Sequence, residues 1–303
     1  MDKRKQGIAL FITLMVIASI MSIIAVSFTY LEKVQKDAGT TSATIQGNLL
    51  YSNTVEKLKQ FFPSGSNNSD KLKLIYGTPL PLSEEKSGFS LTIMCKALMI
   101  GSPISWLDED LTKLVPEKRI LTQEVLRTVM EQYEIQEPNA LEEMITQAVS
   151  GKVLNHEDYI PRIKSQKGIV SKEQFNRIVT DYFLTYDDPK VLVIPWDKYF
   201  SFTKVNNKTK IDGMYLSPEF ISAAFDIPIE IVQESWIEGE STLVPFLREN
   251  AISSPVNKKI YANIALNAMH CEQTYGYQGR QYGFKFDYIE GRSGNFEFSG
   301  QEK

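Results

Sequence analysis

Between Lys5 and Glu32 the chain carries no charged residue, and this run, Ile8–Leu31, constrains the protein more than any other feature of the sequence. As an α-helix its 24 residues reach about 36 Å, enough to cross the hydrocarbon core of a bilayer with some tilt. Lys3, Arg4 and Lys5 precede the run, whereas Glu32, Lys33, Lys36 and Asp37 after it nearly cancel. That asymmetry predicts a single-pass protein with its N-terminus in the cytoplasm and its body on the far side. A secretory signal peptide has an apolar core of about 7–15 residues before a small-residue cleavage site. Ala25-Val26-Ser27 has the look of such a site, but the run leading to it is too long.

The remaining 270 or so residues of the 303 suffice for one large domain or two smaller ones. A formal charge of −4 and the lack of any single-sign block argue against a nucleic-acid partner, because affinity for phosphate backbones comes mainly from Lys and Arg. Two cysteines occur, Cys95 and Cys271. A disulfide between them and two separate buried thiols both fit, since geometry decides. With His156 and His270 as the only histidines, a His-based triad or metal cluster has almost no material. No GxSxG, HExxH, P-loop or GxGxxG motif appears, so no catalytic residue and no cofactor is expected. The carboxylates of "WLDED", 106–110, and of Asp187-Asp188 are candidates for Ca²⁺ ligation, but a solvated acidic face or a helix cap accounts for them more simply.

Beyond the apolar run the helical pattern continues. Leu31, Val34, Ala38, Ile45, Leu49, Val55, Leu58 and Phe62 read as one apolar stripe, weakened by about 1 kcal/mol at each of Gly39 and Gly47. The turn residues 63–68 end it. Residues 71–100, with "LKLIY" and "FSLTIMCKALMI", read as extended. From about 103 to 184 three segments are helical by pattern, with Thr122, Asn139 and Ser171 as expected caps. A short strand, "YFSFTKV", then leads through Asp212-Gly213 to a helix opened by Ser217 as N-cap and Pro218 at the first position. In the tail, Ile260, Ala262, Ile264 and Leu266 alternate, as do Phe284, Phe286 and Tyr288, predicting three or more antiparallel strands with one wet face. Tyr275, Tyr277 and Tyr282 are read as covering that sheet rather than as a binding surface.

The start of the chain is where a family resemblance enters. "KRKQG" followed by "IALFITLMVIASI" resembles the class III leader of type IV pilins and type II secretion pseudopilins. The resemblance implies cleavage by a prepilin peptidase after Gly7, leaving the apolar helix on the mature protein, and methylation of the new N-terminal Ile8. Major subunits of that family carry Glu as the fifth mature residue. Here the fifth is Ile12, and the absence of Glu resembles the general secretion pathway protein K family, where it fits a subunit at the tip. The stretch "NLLYSNTVEKLKQFF" and the block of helices between extended segments are similar in layout to that family, whereas "KIDG" and "LSPE" replace its Asn-rich signature.

What the resemblance implies is an α+β fold, in which a pilin-like long N-terminal helix packs on a small antiparallel sheet with a large inserted helical domain. The divisions would be a leader over 1–7, the long helix over 8–62 with 8–31 in the membrane, a first part of the head over 63–102, the insert over 103–195, and the second part over 196–303. The implied function is that of a minor pseudopilin at the pseudopilus tip in the inner membrane and periplasm. Its implied partners are other minor pseudopilins, the prepilin peptidase, the inner-membrane assembly platform and secreted substrate protein. Calcium sites known in that family find no matching loop motif here. The competing readings are a single-pass inner-membrane protein with a periplasmic sensing or binding domain, and a minor type IV pilin for DNA uptake or adhesion.

Overall fold

The computed structural model describes residues 3–63, 68–84, 89–151, 168–252, 256–277 and 280–301. At 3–20, 23–25, 31–32, 35–37, 82–84, 89–90, 277 and 300–301 it describes the backbone alone. The fold is α+β, with two hydrophobic cores.

The first core lies between a long helix and a sheet. Helix α1 runs Lys3–Phe61, and a short helix α2, Ser69–Ile75, follows it. Five strands form an antiparallel sheet: β1 (Leu80–Glu84), β2 (Phe89–Ala97), β5 (Ala268–Tyr277), β6 (Arg280–Ile289) and β7 (Arg292–Gln301), in the order β1-β2-β5-β6-β7. Every neighbouring pair is antiparallel, so the sheet is a meander whose β2-to-β5 connection has been expanded to residues 98–267. In β6 the alternation shows in which residues join the sheet core, not in burial, since Gly283 and Asp287 on the other face are buried as well. Tyr282, Phe284, Phe286 and Tyr288 all point into the core beneath α1. The β6–β7 turn, Glu290-Gly291, has φ of 48° and 84°, the pair of positive values that lets a two-residue hairpin follow the strand twist.

The second core belongs to a helical lobe within that expanded connection. After β3 (Ser102–Pro103) come α3 (Glu109–Thr112), α4 (Glu117–Gln132), α5 (Pro138–Ser150), α6 (Lys172–Tyr186), α7 (Lys190–Val193) and α8 (Trp196–Tyr199). Strand β4 (Phe200–Ser201) pairs parallel to β3, and α9 (Pro218–Phe225), α10 (Ile229–Ser235) and α11 (Leu243–Glu249) complete the lobe. Trp106, Val125, Leu126, Leu141, Phe175 and Phe220 belong to one cluster that extends from Ile104 to Tyr261. The helices expected over 103–195 thus share their core with four more on the far side of Pro195, α8 to α11.

Several local expectations are corrected. "LKLIY" is helical, because Leu72 and Ile75, three residues apart, both enter the sheet core while Leu74 faces solvent. Ser171 caps α6, accepting from the Gln174 N–H, but Thr122 and Asn139 are not caps. Pro116 and Pro138 set the starts of α4 and α5 further upstream. Thr122 lies inside α4, where its hydroxyl donates to the Lys118 carbonyl and lies 2.6 Å from the Ser102 hydroxyl. The alternating residues 260–266 form no strand. Ile260 and Tyr261 join the helical core instead, and pairing with the sheet starts at Ala268. The second face of the sheet carries the exposed Met94 and Lys96 and the Lys285–Glu272 pair at 3.4 Å, and the helical lobe covers it at Asp287.

Candidate functional site: the outer face of the long helix and the neck of the helical lobe

Helix α1 has two faces of different use. Ala43, Gly47, Val55, Leu58 and Phe62 are buried on the sheet, and Tyr51 packs on Phe286 and Phe296 at 5.2 and 4.6 Å between ring centroids. Gly47 permits the approach, since a Cβ there would lie 2.8 Å from the Tyr275 hydroxyl and 3.3 Å from the Phe298 ring. That hydroxyl donates to the Ala43 carbonyl. The stripe read from the sequence therefore divides. Val34, Ile45 and Leu49 are 43%, 59% and 57% exposed, and with the exposed Ala38 they fall about half a turn from the buried set. An eleven-residue step, as from Val34 to Ile45, returns to nearly the same azimuth.

Gly7, Ile8 and Ile12 lie on the first turns of α1, and their side chains lie outside the described residues, as do those of most of the 8–31 run. Among the described residues no helix is long and apolar enough to cross a membrane.

At the neck, where the helical lobe joins the sheet, three sets of side chains hold the crossing chains. Cys95 and Cys271 face each other in the β2–β5 ladder and are joined by a disulfide, with Cα atoms 4.1 Å apart. The Cys95 carbonyl points the other way and accepts from the Gly77 N–H, so the pair occupies a non-hydrogen-bonded position where side chains come closest. The second set centres on Asp287. Its carboxylate accepts from the Thr203 hydroxyl at 2.7 Å and the Asn295 amide at 2.6 Å, and it lies 2.8 Å from His270 Nδ1. Asn295 also donates to the Val170 carbonyl, so β5, β6 and β7 grip the lobe at two points. His156 lies outside the described residues.

The third is the buried Asp212. One oxygen accepts from the Met214 and Tyr215 N–H groups at 2.7 and 3.0 Å, the other from the Leu266 N–H at 2.7 Å. Burial pushes its carboxyl up to about 6 against the opposing pull of those donors. A Cβ on Gly213 would stand 2.2 Å from the Ala262 carbonyl oxygen. Asp212-Gly213, between the short strand and the helix opened by Ser217, is a crossing point of chain segments. Asp212 has local partners in the Met214 and Tyr215 N–H groups, but the contacts by which Asp212 and Asp287 tie distant segments, to Leu266 and Thr203, lie 54 and 84 positions away and leave no signal in the sequence.

The acidic candidates are occupied locally. Asp108 caps α3 by accepting from the Asp110 N–H, and Glu109 pairs with Arg119. Asp188 is buried and accepts from the Gln136 and Lys190 N–H groups, while Asp187 is the left-handed C-cap of α6. Among the described residues no group of three or more His, Cys, Asp or Glu side chains is placed to hold a metal ion. Tyr275 and Tyr282 are buried and stacked beneath α1, which leaves neither as a surface.

No family model matches the chain, and no curated protein matches it. A solved structure, the crystal structure of the GspK-GspI-GspJ complex from the type 2 secretion system of enterotoxigenic Escherichia coli, is similar to it. The likeness covers 86% of this chain and 97% of that one at 10% identity, with a TM-score of 0.48. At that level it decides neither family nor function.

Proposed function

We propose that this protein is a minor pseudopilin of a type II secretion or related system, similar to the K component, placed at the tip to cap or initiate the pseudopilus. The observation that carries the reading is the division of α1 into a face spent on the sheet and an apolar face, Val34, Ala38, Ile45 and Leu49, turned away from it. A helix that served only to anchor a head would gain nothing from an apolar outer face above the membrane, whereas lateral packing against neighbouring helices uses it. The uncharged run 8–31 continues the same helix toward the N-terminus. It parks the subunit in the inner membrane before assembly, with the head in the periplasm.

In this reading the prepilin peptidase cuts after Gly7 and Ile8 becomes the methylated N-terminus. Ile12 replaces the Glu that a fibre-body subunit needs for pairing, and an unpaired carboxylate at this depth would cost about 3 kcal/mol or more. The partners are other minor pseudopilins, the inner-membrane assembly platform and the exported protein. The role involves no reaction and no cofactor.

Mass spectrometry of the mature N-terminus tests it. The wild type should begin at a methylated Ile8, and Gly7→Ala should retain the leader and abolish export. A mature protein beginning at Met1, or near Phe28, would overturn the reading in favour of a plain anchor or a cleaved signal.

A further inference from the structure

Between the loop that follows β4 and the β6–β7 hairpin lies a cleft of about 580 Å³. Its floor is apolar, with Met99, Leu266 and Ile289, and its rim carries Lys204, Lys208, Lys210 and Arg292. None of these four cations is in an ion pair among the described residues. Asp287 also lines the cleft, but its oxygens are already taken by Thr203, Asn295 and His270. In a chain of net charge −4, this is a local reversal of sign.

The rim loop is also hydrogen-bonded from within and from beneath. Asn206 Oδ1 accepts from the Lys208 and Thr209 N–H groups, and the Asn206 N–H donates to the Thr209 hydroxyl. From beneath, the buried Lys118 donates to the Asn207 and Thr209 carbonyls at 2.8 and 2.6 Å, with its ammonium 4.7 Å from the centre of the Trp106 ring. Burying a lysine opposes folding, and here that lysine serves a surface loop. Burial and the nearby Lys210 pull it down to about 8. A pre-ordered, unneutralised rim reduces the ordering lost when an anionic partner arrives.

We propose that this cleft docks an extended peptide segment of a partner protein that combines acidic with apolar side chains. The carboxylates meet the Lys and Arg rim, and the apolar residues reach the floor. A nucleic-acid backbone fits less well, since its phosphates and sugars would gain nothing from an apolar floor.

Fluorescence anisotropy with the full-length chain in detergent micelles tests this. The probe is a dye-labelled peptide of alternating Asp and Leu, compared with Ser–Leu and Lys–Leu peptides of equal length and with a single-stranded oligonucleotide. The Asp–Leu peptide should bind about tenfold or more tightly than the Ser–Leu peptide, and raised salt should weaken it. Lys204→Glu with Arg292→Glu should remove that advantage without moving the melting curve, while Lys113→Glu, exposed elsewhere on the lobe, should leave it intact. Equal affinity for the Ser–Leu peptide, loss of binding in Lys113→Glu to the same degree, or tighter binding of the oligonucleotide would each overturn the proposal.

Discussion

The two cores of this protein are built on different principles, and the contrast explains why one is so much easier to read than the other. The sheet core is stitched by long-range register: Cys95 lies opposite Cys271, and Leu91 opposite Tyr275, although 176 or more positions separate them in the chain. The helical core is assembled from short segments, most of them too short to be stable alone, whose ends are set by prolines, caps and tertiary packing. The first is one cooperative surface with a covalent staple. The second is a loop of that surface, grown into a lobe and closed at its base by the same staple.

The largest effect should come from the staple. Cys95→Ala with Cys271→Ala opens a loop that contains the entire helical lobe, and should lower stability to urea by about 3–5 kcal/mol. If the change were below 1 kcal/mol, on the order of a surface substitution, the neck would owe its integrity to the polar contacts alone.

A cavity in either core compares the two directly. Phe175→Ala and Phe286→Ala each remove a fully buried ring and should cost about 3–5 kcal/mol. If the cores are separate cooperative units, hydrogen exchange will show α4–α6 opening in the first variant while β5 and β6 stay protected, with the reverse pattern in the second. Loss of protection throughout the chain in both variants would mean that the neck fuses them into a single unit.

The smallest effect concerns the neck itself and depends on pH. Burial raises the Asp212 carboxyl from its ordinary 3.8 to about 6. A raised folded-state value means that the folded protein binds the proton more tightly. The stability from this group is therefore present in full below about pH 3.8 and is lost as the pH rises through about 6. The span corresponds to about 3 kcal/mol at most. Urea unfolding at several pH values should show this slope in the wild type and a flatter one in Asp212→Asn. An unchanged slope in the variant would assign the pH dependence to other groups.

Local chemistry was legible wherever a residue acts on its near neighbours. The start of α9 follows from Ser217-Pro218, with the Ser217 hydroxyl accepting from the Phe220 N–H, and the cap of α6 follows from Ser171. The strand character of β6 follows from Phe284, Phe286 and Tyr288. Legibility ends where a neighbour is distant in sequence. "LKLIY" has strand-forming composition and folds as a helix because the sheet lies beside it. Thr122 has a cap's residue type, but its hydroxyl pairs with Ser102 in the helical lobe's interior. The groups at the neck, Asp212, Asp287, Thr203 and Asn295, look like ordinary loop and strand polar residues until the lobe is folded against the sheet.

By itself the sequence determined that a long helix opens the chain, that its first part is apolar and uncharged, and that an alternating β region closes the chain. Those properties arise from periodicity and charge, which one segment carries alone. Only the tertiary structure decided which side of α1 is buried, since Ala43 and Gly47 win the sheet over the larger Ile45 and Leu49. A close approach to Tyr275 and Phe298 needs small residues, and hydrophobicity alone ranks them last. It also decided that two halves of one sheet meet across residues 98–267, because strand pairing is a relation between segments and neither carries the register by itself.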